Sequence, residues 1–191
     1  TESVDAESGN IVIYKASDDY AVETIDVTSG QVTGSGSTQI TINPGSDLAE
    51  QTSYYLQIAA TAFDDSSSNS YAGISNTTSL SFTTADETAP TFSSAATNTS
   101  GTKVILTYNE ALSATTAATS AFAVTTGGVS NSVTDATVSG STVELTLTTT
   151  VKNDEAVTVA YTDPTVGDDA NAIQDSSGND VATLSSTSVT N

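Results

Sequence analysis

Residues 143–147 read Val-Glu-Leu-Thr-Leu, and residues 157–161 read Val-Thr-Val-Ala-Tyr. Every second residue in both stretches is a large apolar one, which is the period of a β-strand with one buried face. Residues 104–108, Val-Ile-Leu-Thr-Tyr, continue the pattern through Val104, Leu106 and Tyr108. Clusters of Gly, Asn, Asp and Ser separate these runs, as turns between short antiparallel strands do. The second half of the chain is therefore predicted to be a β-sandwich.

The first half shows the same alternation in weaker form. We predict that its core faces carry the following apolar residues: Ile11, Ile13, Ile40, Ile42, Tyr54, Leu56, Ile58, Leu80 and Phe82. The chain is also rich in Ser and Thr and poor in good helix formers such as Lys, Arg and Met. Together these features predict an all-β protein.

The charge of the chain excludes several partners. The net charge is -20, and Lys15, Lys103 and Lys152 are the three cationic residues. Nothing is available to neutralise phosphates, so neither nucleic acid nor an anionic membrane surface is an expected partner. Crowded carboxylates repel one another and disfavour the compact state, which implies bound calcium or high salt. The alternative is that the acidity only keeps the protein soluble in seawater or brine.

The chain contains no Cys and no His. This excludes Ser-His-Asp and Cys-His catalysis, zinc sites of His and Cys, and disulfide bonds. We therefore do not expect an enzyme, and we expect oxygen-ligated calcium as the stabilising link of a secreted protein. No run of 18 apolar residues and no export leader is visible. We therefore expect no membrane insertion, and we expect this chain to be an internal or processed fragment of a longer protein.

A domain boundary is predicted where residues 84–91 read Thr-Ala-Asp-Glu-Thr-Ala-Pro-Thr. A strand ends there, two acids follow, and Pro90 interrupts sheet hydrogen bonding. We predict a first domain at 1–85, a short acidic linker at 86–90 and a second domain at 91–191. Residues 48–54 are also typical of a tyrosine corner centred on Tyr54, although an ordinary strand with a core Tyr fits the sequence equally.

Segments in each half resemble known families. The first half is similar to the bacterial Ig-like domain of S-layer (SbsA) type, and the second half is similar to the SwmB-type repeat of large cyanobacterial surface proteins. The segments that carry these resemblances are residues 8–15, 40–44, 48–55, 63–74 and 80–84 for the first and residues 97–112 and 173–181 for the second. The resemblance implies two tandem immunoglobulin-like Greek-key β-sandwiches in an extracellular, cell-surface protein.

One departure from the first family concerns its opening strand. The chain starts at Thr1-Glu2-Ser3-Val4, which matches only the tail of that strand. The first sandwich is therefore expected to lack most of its N-terminal strand. A cut in the chain, disorder, or a strand supplied by a neighbouring molecule would each explain this, because an open sheet edge invites strand addition.

Carboxylates cluster in loops, where they could bind calcium through oxygen. If residues 157–161 and 184–189 are the last two strands, the loop between them lies at the end of the sandwich that faces the linker. A calcium ion could then connect the linker acids with this loop, and the equivalent loop of the first domain could serve a preceding domain. The predicted ligands are Asp86, Glu87, Asp168, Asp169, Asp175, Asn179 and Asp180, and, in the first domain, Asp64, Asp65 and Asn69. The alternative is that Asp, Asn, Gly and Ser simply form good turns.

Two other functions, glycoside hydrolysis and glycan binding, receive little support from the sequence. Paired carboxylates also occur in glycosidases, but no Trp is present for sugar stacking. Surface glycans could bind through Tyr20, Tyr55 or Tyr71, although each of these residues could equally pack on the sandwich.

The sequence thus favours a calcium-stiffened spacer or adhesive stalk of a secreted cell-surface protein, with neighbouring domains of the same or identical chains as partners. The alternative is a self-assembling filament or sheath subunit joined by donor-strand complementation. A weaker alternative is a glycan-binding module.

Overall fold

A computed structural model describes residues 2–191. The chain forms two compact units, Thr1–Asp86 and Glu87–Asn191, called here the first and second domains. The division lies in the segment predicted as a linker. The prediction of an all-β chain is confirmed: among the described residues, the helical structure is one 3-10 turn at Thr119–Ala121. Within that range no helix is long and apolar enough to cross a membrane.

Sixteen strands make up the two domains. Those of the first domain are β1 (Val4–Ala6), β2 (Asn10–Lys15), β3 (Tyr20–Asp26), β4 (Val32–Thr33), β5 (Thr41–Ile42), β6 (Ser53–Ile58), β7 (Phe63–Asp65) and β8 (Ser81–Thr83). Those of the second domain are β9 (Phe92–Thr97), β10 (Lys103–Tyr108), β11 (Phe122–Thr126), β12 (Val129–Ser130), β13 (Val133–Ser139), β14 (Thr142–Leu147), β15 (Val157–Tyr161) and β16 (Leu184–Val189).

The second domain is a two-sheet sandwich. One sheet has the strand order β13-β14-β10-β9 and the other β12-β11-β15-β16. This is the order of an immunoglobulin sandwich of constant type, with β12 as an added edge strand. The predicted alternation of β10, β14 and β15 is confirmed, because the apolar side chains predicted for their core faces are all buried. Eighteen buried residues form the core among the described residues.

A parallel contact closes the edge of the second sheet. Thr97 in β9 donates its N–H to the carbonyl oxygen of Thr190, just after β16, at 2.8 Å. Thr190 returns its own N–H to the carbonyl oxygen of Ala95 at 2.9 Å. The residue that follows the final strand thus finds backbone partners within the domain.

The first domain has one four-stranded sheet, in the order β3-β2-β6-β8. Two short ladders, β1-β7 and β4-β5, accompany it. The strand β1 stands where the sequence predicts the tail of an opening strand, and it pairs antiparallel with β7. Among the described residues the core holds eight buried side chains, including the predicted Ile11, Ile13, Tyr54 and Leu56. The first domain therefore has a smaller core than the second.

Two residues predicted for this core are exposed. Leu80 is 38% exposed and Phe82 is 41% exposed. Both lie on or beside β8, the edge strand of the sheet, and Phe82 pairs in register with the buried Tyr54. Their side chains point to the core side, but the short ladders leave them accessible. The alternation was predicted correctly, whereas the burial of Leu80 and Phe82 was wrong because alternation does not reveal whether a face is covered.

The predicted tyrosine corner is confirmed. The side chain of Tyr54 is buried, and its phenol oxygen accepts the backbone N–H of Ala49 at 3.0 Å. This bond fixes the start of β6 against the chain five residues upstream, as in immunoglobulin-like domains.

Candidate metal centre

Both domains contain the same turn, which lies between two neighbouring strands of one sheet. Residues 62–71 read Ala-Phe-Asp-Asp-Ser-Ser-Ser-Asn-Ser-Tyr, and residues 172–181 read Ala-Ile-Gln-Asp-Ser-Ser-Gly-Asn-Asp-Val. The first segment lies between β6 and β8 and the second between β15 and β16. We call the shared part, Asp65–Asn69 and Asp175–Asn179, the Asp-Asn turn. The repeat was not noticed in the sequence, although an alignment of the two segments would have found it.

In the second domain the Asp-Asn turn forms around Asp175. Its Oδ1 accepts the backbone N–H groups of Ser177, Gly178 and Asn179 at 2.7–3.0 Å, and its Oδ2 accepts the side-chain amide of Asn179 at 2.8 Å. The residue is only 3% exposed. Burial opposes its ionisation, but the hydrogen bonds from Asn179, Ser177 and Gly178 outweigh this effect and lower the pKa of Asp175.

The first domain repeats this arrangement around Asp65. Its Oδ1 accepts the N–H groups of Ser67 and Asn69, both at 2.8 Å, and its Oδ2 accepts the side-chain amide of Asn69 at 2.8 Å. The hydrogen bonds from Asn69 lower the pKa of Asp65. Ser68 adopts a left-handed backbone with φ of 61°, at the position where Gly178 has φ of 96°. Glycine fits this conformation better, so the second turn has less backbone strain.

These contacts assign a structural role to four of the predicted metal ligands, namely Asp65, Asn69, Asp175 and Asn179. Their side chains hold the two turns together by internal hydrogen bonds, which is the turn chemistry considered as the alternative in the sequence.

The second domain differs from the first in the loop that precedes its Asp-Asn turn. Between the end of β6 and Phe63 the first domain has only residues 59–62, whereas between the end of β15 and Ile173 the second domain has residues 162–172. The longer loop contains Asp163, Asp168 and Asp169. In addition, Asp180 occupies the position that Ser70 has in the first domain.

Three carboxylates from these segments converge. Asp163 follows β15, Asp169 lies in the long loop, and Asp180 follows the Asp-Asn turn. One carboxylate oxygen of each lies within 4.8 Å of those of the other two. We call these three residues the carboxylate trio.

Each member of the trio has a buried oxygen without a hydrogen-bond partner: Oδ1 of Asp163, Oδ2 of Asp169 and Oδ1 of Asp180. The other oxygen of Asp180 accepts the N–H of Asp169 at 2.8 Å. Likewise, the other oxygen of Asp169 accepts the N–H of Asn171 at 2.6 Å. Backbone donors therefore hold one side of these carboxylates while the opposite oxygen stays free. Buried oxygens left without partners are costly, so the arrangement favours a ligand.

The electrostatics of the trio also favour a bound cation. Burial raises the pKa of Asp180, and the charges of Asp169, Asp163 and Asp168 raise it further. Beside them the buried phenol of Tyr161 accepts the N–H of Ile173 at 3.0 Å. Burial raises the pKa of Tyr161 to about 12, with additional contributions from the same carboxylates. A bound cation would remove this mutual repulsion.

The spacing suits a cation of the size of calcium. Calcium binds oxygen at about 2.3–2.6 Å, so two oxygens on one ion can be no more than about 5 Å apart. The separation of at most 4.8 Å within the trio meets this limit. Calcium also needs six to eight oxygens, so carbonyl groups or water would have to complete the shell.

The predicted ligands occupy different places around this centre. Asp169 and Asp180 belong to the trio, and Asp168 stands next to it, because its Oδ1 accepts the N–H of Asp180 at 3.2 Å. Asp163 was not among the predicted ligands. The signal was its position two residues after Tyr161, at the end of a strand whose loop contains the other acids.

Three predicted ligands lie elsewhere. Asp64 stands opposite Asp5 in the β1-β7 ladder. Asp86 accepts a hydrogen bond from the side-chain amide of Gln51 at 2.7 Å. Glu87 begins the second domain. The calcium bridge predicted between the linker acids and the second domain stays a prediction.

The aromatic residues considered for sugar binding also differ in exposure. Tyr20 is 66% exposed and Tyr71 is 41% exposed. Tyr55 is buried, because its ring stacks on Tyr14 with centroids 5.0 Å apart and its hydroxyl donates to Asp19. Tyr55 therefore packs on the sandwich, which leaves no accessible ring face of that residue for a sugar.

The fold and its turns define a tandem of immunoglobulin-like β-sandwich domains. Residues 1–84 match the family described as bacterial Ig-like domain. Residues 85–166 match the family described as flagellar system-associated repeat. These matches confirm the two resemblances found in the sequence, in the same order along the chain.

A search of solved structures finds the N-terminal part of the bacterial S-layer protein SbsC. It is 21% identical, with a TM-score of 0.43, and the match covers 53% of this chain and 23% of that chain. The match thus spans less than a quarter of that structure. No curated protein matches this chain. The domain types are those of bacterial cell-surface structural proteins.

Proposed function

We propose that this chain is a non-catalytic, extracellular spacer module of a bacterial cell-surface protein, and that calcium stiffens it. The observation that carries the calcium part is the carboxylate trio: one carboxylate oxygen of each residue lies within 4.8 Å of those of the other two, and each residue has a buried oxygen without a hydrogen-bond partner. The net charge of -20 supports it, because bound cations reduce the self-repulsion of the folded state. The two family matches support the structural role.

The position of the trio explains how a bound calcium ion would stiffen the second domain. Asp163 is attached to the end of β15, Asp169 to the long loop, and Asp180 to the Asp-Asn turn that leads towards β16. One ion bound to all three would tie the connection between the last two strands to the sheet. Binding to the folded state alone raises stability by mass action, and it would do so without any catalytic group.

The test is a calcium titration of the full chain, followed by thermal unfolding and by calorimetric measurement of binding. We expect the unfolding temperature of the second domain to rise with calcium and to fall again with excess chelator. Asp163→Asn, Asp169→Asn and Asp180→Asn should each abolish most of this rise. The matched control is Asp135→Asn, which removes one charge from an exposed position on β13.

Three results would contradict the proposal. An unfolding temperature that does not respond to calcium would exclude the trio as a calcium site. A rise that survives all three substitutions would place the ion elsewhere. So would a rise that disappears in Asp135→Asn. Stiffening across the linker is a separate part of the proposal, and small-angle scattering of Asp86→Asn and Glu87→Gln variants with and without calcium tests it.

A further inference from the structure

We infer that the parallel contact between β9 and the residues after β16 is a mechanical clamp, which keeps the second domain folded when the chain is pulled from its two ends. The clamp consists of residues 95–97 on one side and residues 190–191 on the other. This inference rests on the proposed role as a spacer, because a module held at both ends transmits tension. It does not depend on calcium.

The first argument is that the clamp bonds the first strand of the second domain directly to the end of the last. Thr97 donates its N–H to the carbonyl oxygen of Thr190 at 2.8 Å, and Thr190 donates its N–H to the carbonyl oxygen of Ala95 at 2.9 Å. The bridge between Ala96 and Thr190 is parallel. The strand ladders within the two sheets of this domain are, in contrast, antiparallel. Since β9 and β16 belong to different sheets, the clamp also ties the two sheets together.

The second argument concerns the side chain of Asn191, which extends the clamp. Its amide group donates to the carbonyl oxygens of Lys152 at 2.8 Å and Glu155 at 2.9 Å. Its Oδ1 accepts the hydroxyl group of Thr97 at 3.1 Å. These three bonds anchor the chain beyond β16 both to β9 and to the turn between β14 and β15. Tension applied at Asn191 therefore reaches several bonds at once.

The third argument is the direction in which tension acts on these bonds. It enters β9 at Phe92, the first residue of that strand, and it enters the other side of the clamp at Asn191, beyond the end of β16. Because the two segments run parallel, these points lie at opposite ends of the contact, and a pull along the chain slides one segment past the other. The bonds of the clamp must then stretch together, whereas a pull from one end would break them one after another. Resistance to force depends on the rate of unfolding, which this arrangement lowers.

The first domain is an internal reference for this clamp. Its strand β1 pairs with β7, and its strand β8 pairs with β6, and both ladders are antiparallel. No parallel bridge is present among residues 2–86. Substitutions in the clamp should therefore leave the unfolding force of the first domain unchanged.

Thr190 permits a substitution that tests the clamp alone. Its side chain is exposed, and it lies just beyond Val189, which forms the last pair of the β15-β16 ladder. Thr190→Pro removes the N–H that is donated to Ala95 and leaves this ladder intact. Thr190→Val keeps both the N–H and the branched shape of the side chain, so it is the matched control.

The experiment is single-molecule force spectroscopy of the full chain in the presence of a chelator. In the end-to-end geometry, handles are fused to the two ends of the chain. In the same-end geometry, one handle is attached at Ser100→Cys and the other after Asn191, because residues 98–101 line one groove together with Thr190 and Asn191. The chain has no Cys of its own, so the introduced thiol is unique. We expect the second domain to unfold at a higher force in the end-to-end geometry.

Thr190→Pro should accelerate end-to-end unfolding at a fixed force about fivefold or more, because one hydrogen bond of the clamp is lost. It should also remove most of the difference between the two geometries, whereas Thr190→Val should preserve that difference. Asn191→Ala removes only side-chain bonds of the clamp, so it provides a milder variant if the proline variant does not fold. It should reduce the difference to a smaller extent.

Equal unfolding forces in the two geometries of the wild type would overturn the inference. A difference that survives in both Thr190→Pro and Asn191→Ala would overturn it as well. Because calcium is chelated throughout, failure of the clamp leaves the calcium titration of the trio unaffected. Conversely, a chain that does not respond to calcium can still show the clamp.

Discussion

The two domains share one hairpin but differ in what surrounds it. Each has an Asp-Asn turn between its last two strands, held by an aspartate that accepts backbone N–H groups. In the second domain two full sheets, a closed edge and a long acidic loop accompany the turn. In the first domain one sheet, two short ladders and a four-residue connection accompany it. The comparison shows that the turn is a structural element, whereas the metal centre depends on the loop placed next to it.

The largest expected difference between the domains lies in their cores. Leu145→Ala in the second domain should cost about 4 kcal/mol, because Leu145 is fully buried between two neighbouring strands. Leu56→Ala in the first domain should cost about 2 kcal/mol, since its smaller core can relax around the cavity. Hydrogen exchange, followed separately in the two domains, measures both losses of stability. The exposed Val129→Ala should change stability by less than about 0.5 kcal/mol. Equal losses in the two domains would contradict the difference in packing.

The next comparison is between the two turn aspartates. Asp175→Ala should destabilise the second domain by about 2 kcal/mol, because three N–H groups of the turn lose their buried acceptor. Asp65→Ala should destabilise the first domain by less, since its turn is more exposed. Asp175→Asn, which keeps one acceptor oxygen, is the control and should retain part of the stability. Urea unfolding of each variant measures these changes.

The same two aspartates predict an acid dependence. Both pKa values are lowered in the folded protein, so their stabilisation is present above the ordinary carboxyl pKa of about 4 and is lost as the pH falls through the lowered values. Both domains should therefore lose stability in acid. In Asp175→Ala this loss should become smaller in the second domain alone, and an unchanged acid profile would contradict the role of the turn.

The carboxylate trio predicts the opposite dependence. The pKa of Asp180 is raised, so its protonated form stabilises the second domain below about pH 4, and this stability is lost as the pH rises through the raised value. Without calcium, Asp180→Asn should remove this loss and raise the unfolding temperature by a few degrees near neutral pH. With calcium the wild type should be the more stable protein. Thermal unfolding across pH, with and without chelator, distinguishes these cases.

The smallest effect should come from transplanting one acid to the first domain. Ser70→Asp copies Asp180 but adds no counterpart of Asp163 or Asp169, so stability should change by less than about 0.5 kcal/mol and no response to calcium should appear. The reciprocal Asp180→Ser should abolish the response of the second domain. Calcium binding by Ser70→Asp would show that the turn, and not the long loop, creates the site.

Much of the fold could be predicted from the alternation of apolar residues. The pattern at Val104, Leu106 and Tyr108 identified a buried strand because side chains alternate between the two faces of a sheet. The same reasoning failed for Leu80 and Phe82. Alternation identifies the face on which a side chain lies, but exposure depends on whether another layer covers that face.

The candidate site could be predicted only in outline. Acidic loops and the absence of Cys and His pointed to oxygen-ligated calcium, and Asp169 and Asp180 were among the predicted ligands. The turn residues Asp65 and Asp175 were assigned to the same class because residue type alone does not distinguish a carboxylate that accepts N–H groups from one that is free for a cation. Asp163 was missed although its position just after β15, in the same loop as Asp169, was a signal for it.

The sequence by itself determined the all-β class, the division into two halves and the acidic chemistry, because these features depend on local period, turn residues and composition. Only the tertiary structure decided which carboxylates keep a free buried oxygen and which edge strand stays open. Both properties depend on contacts between different segments: Asp163 and Asp169 with Asp180 across the Asp-Asn turn, and β9 with the residue that follows β16. Local sequence does not encode such contacts, because they form only when the sheets pack.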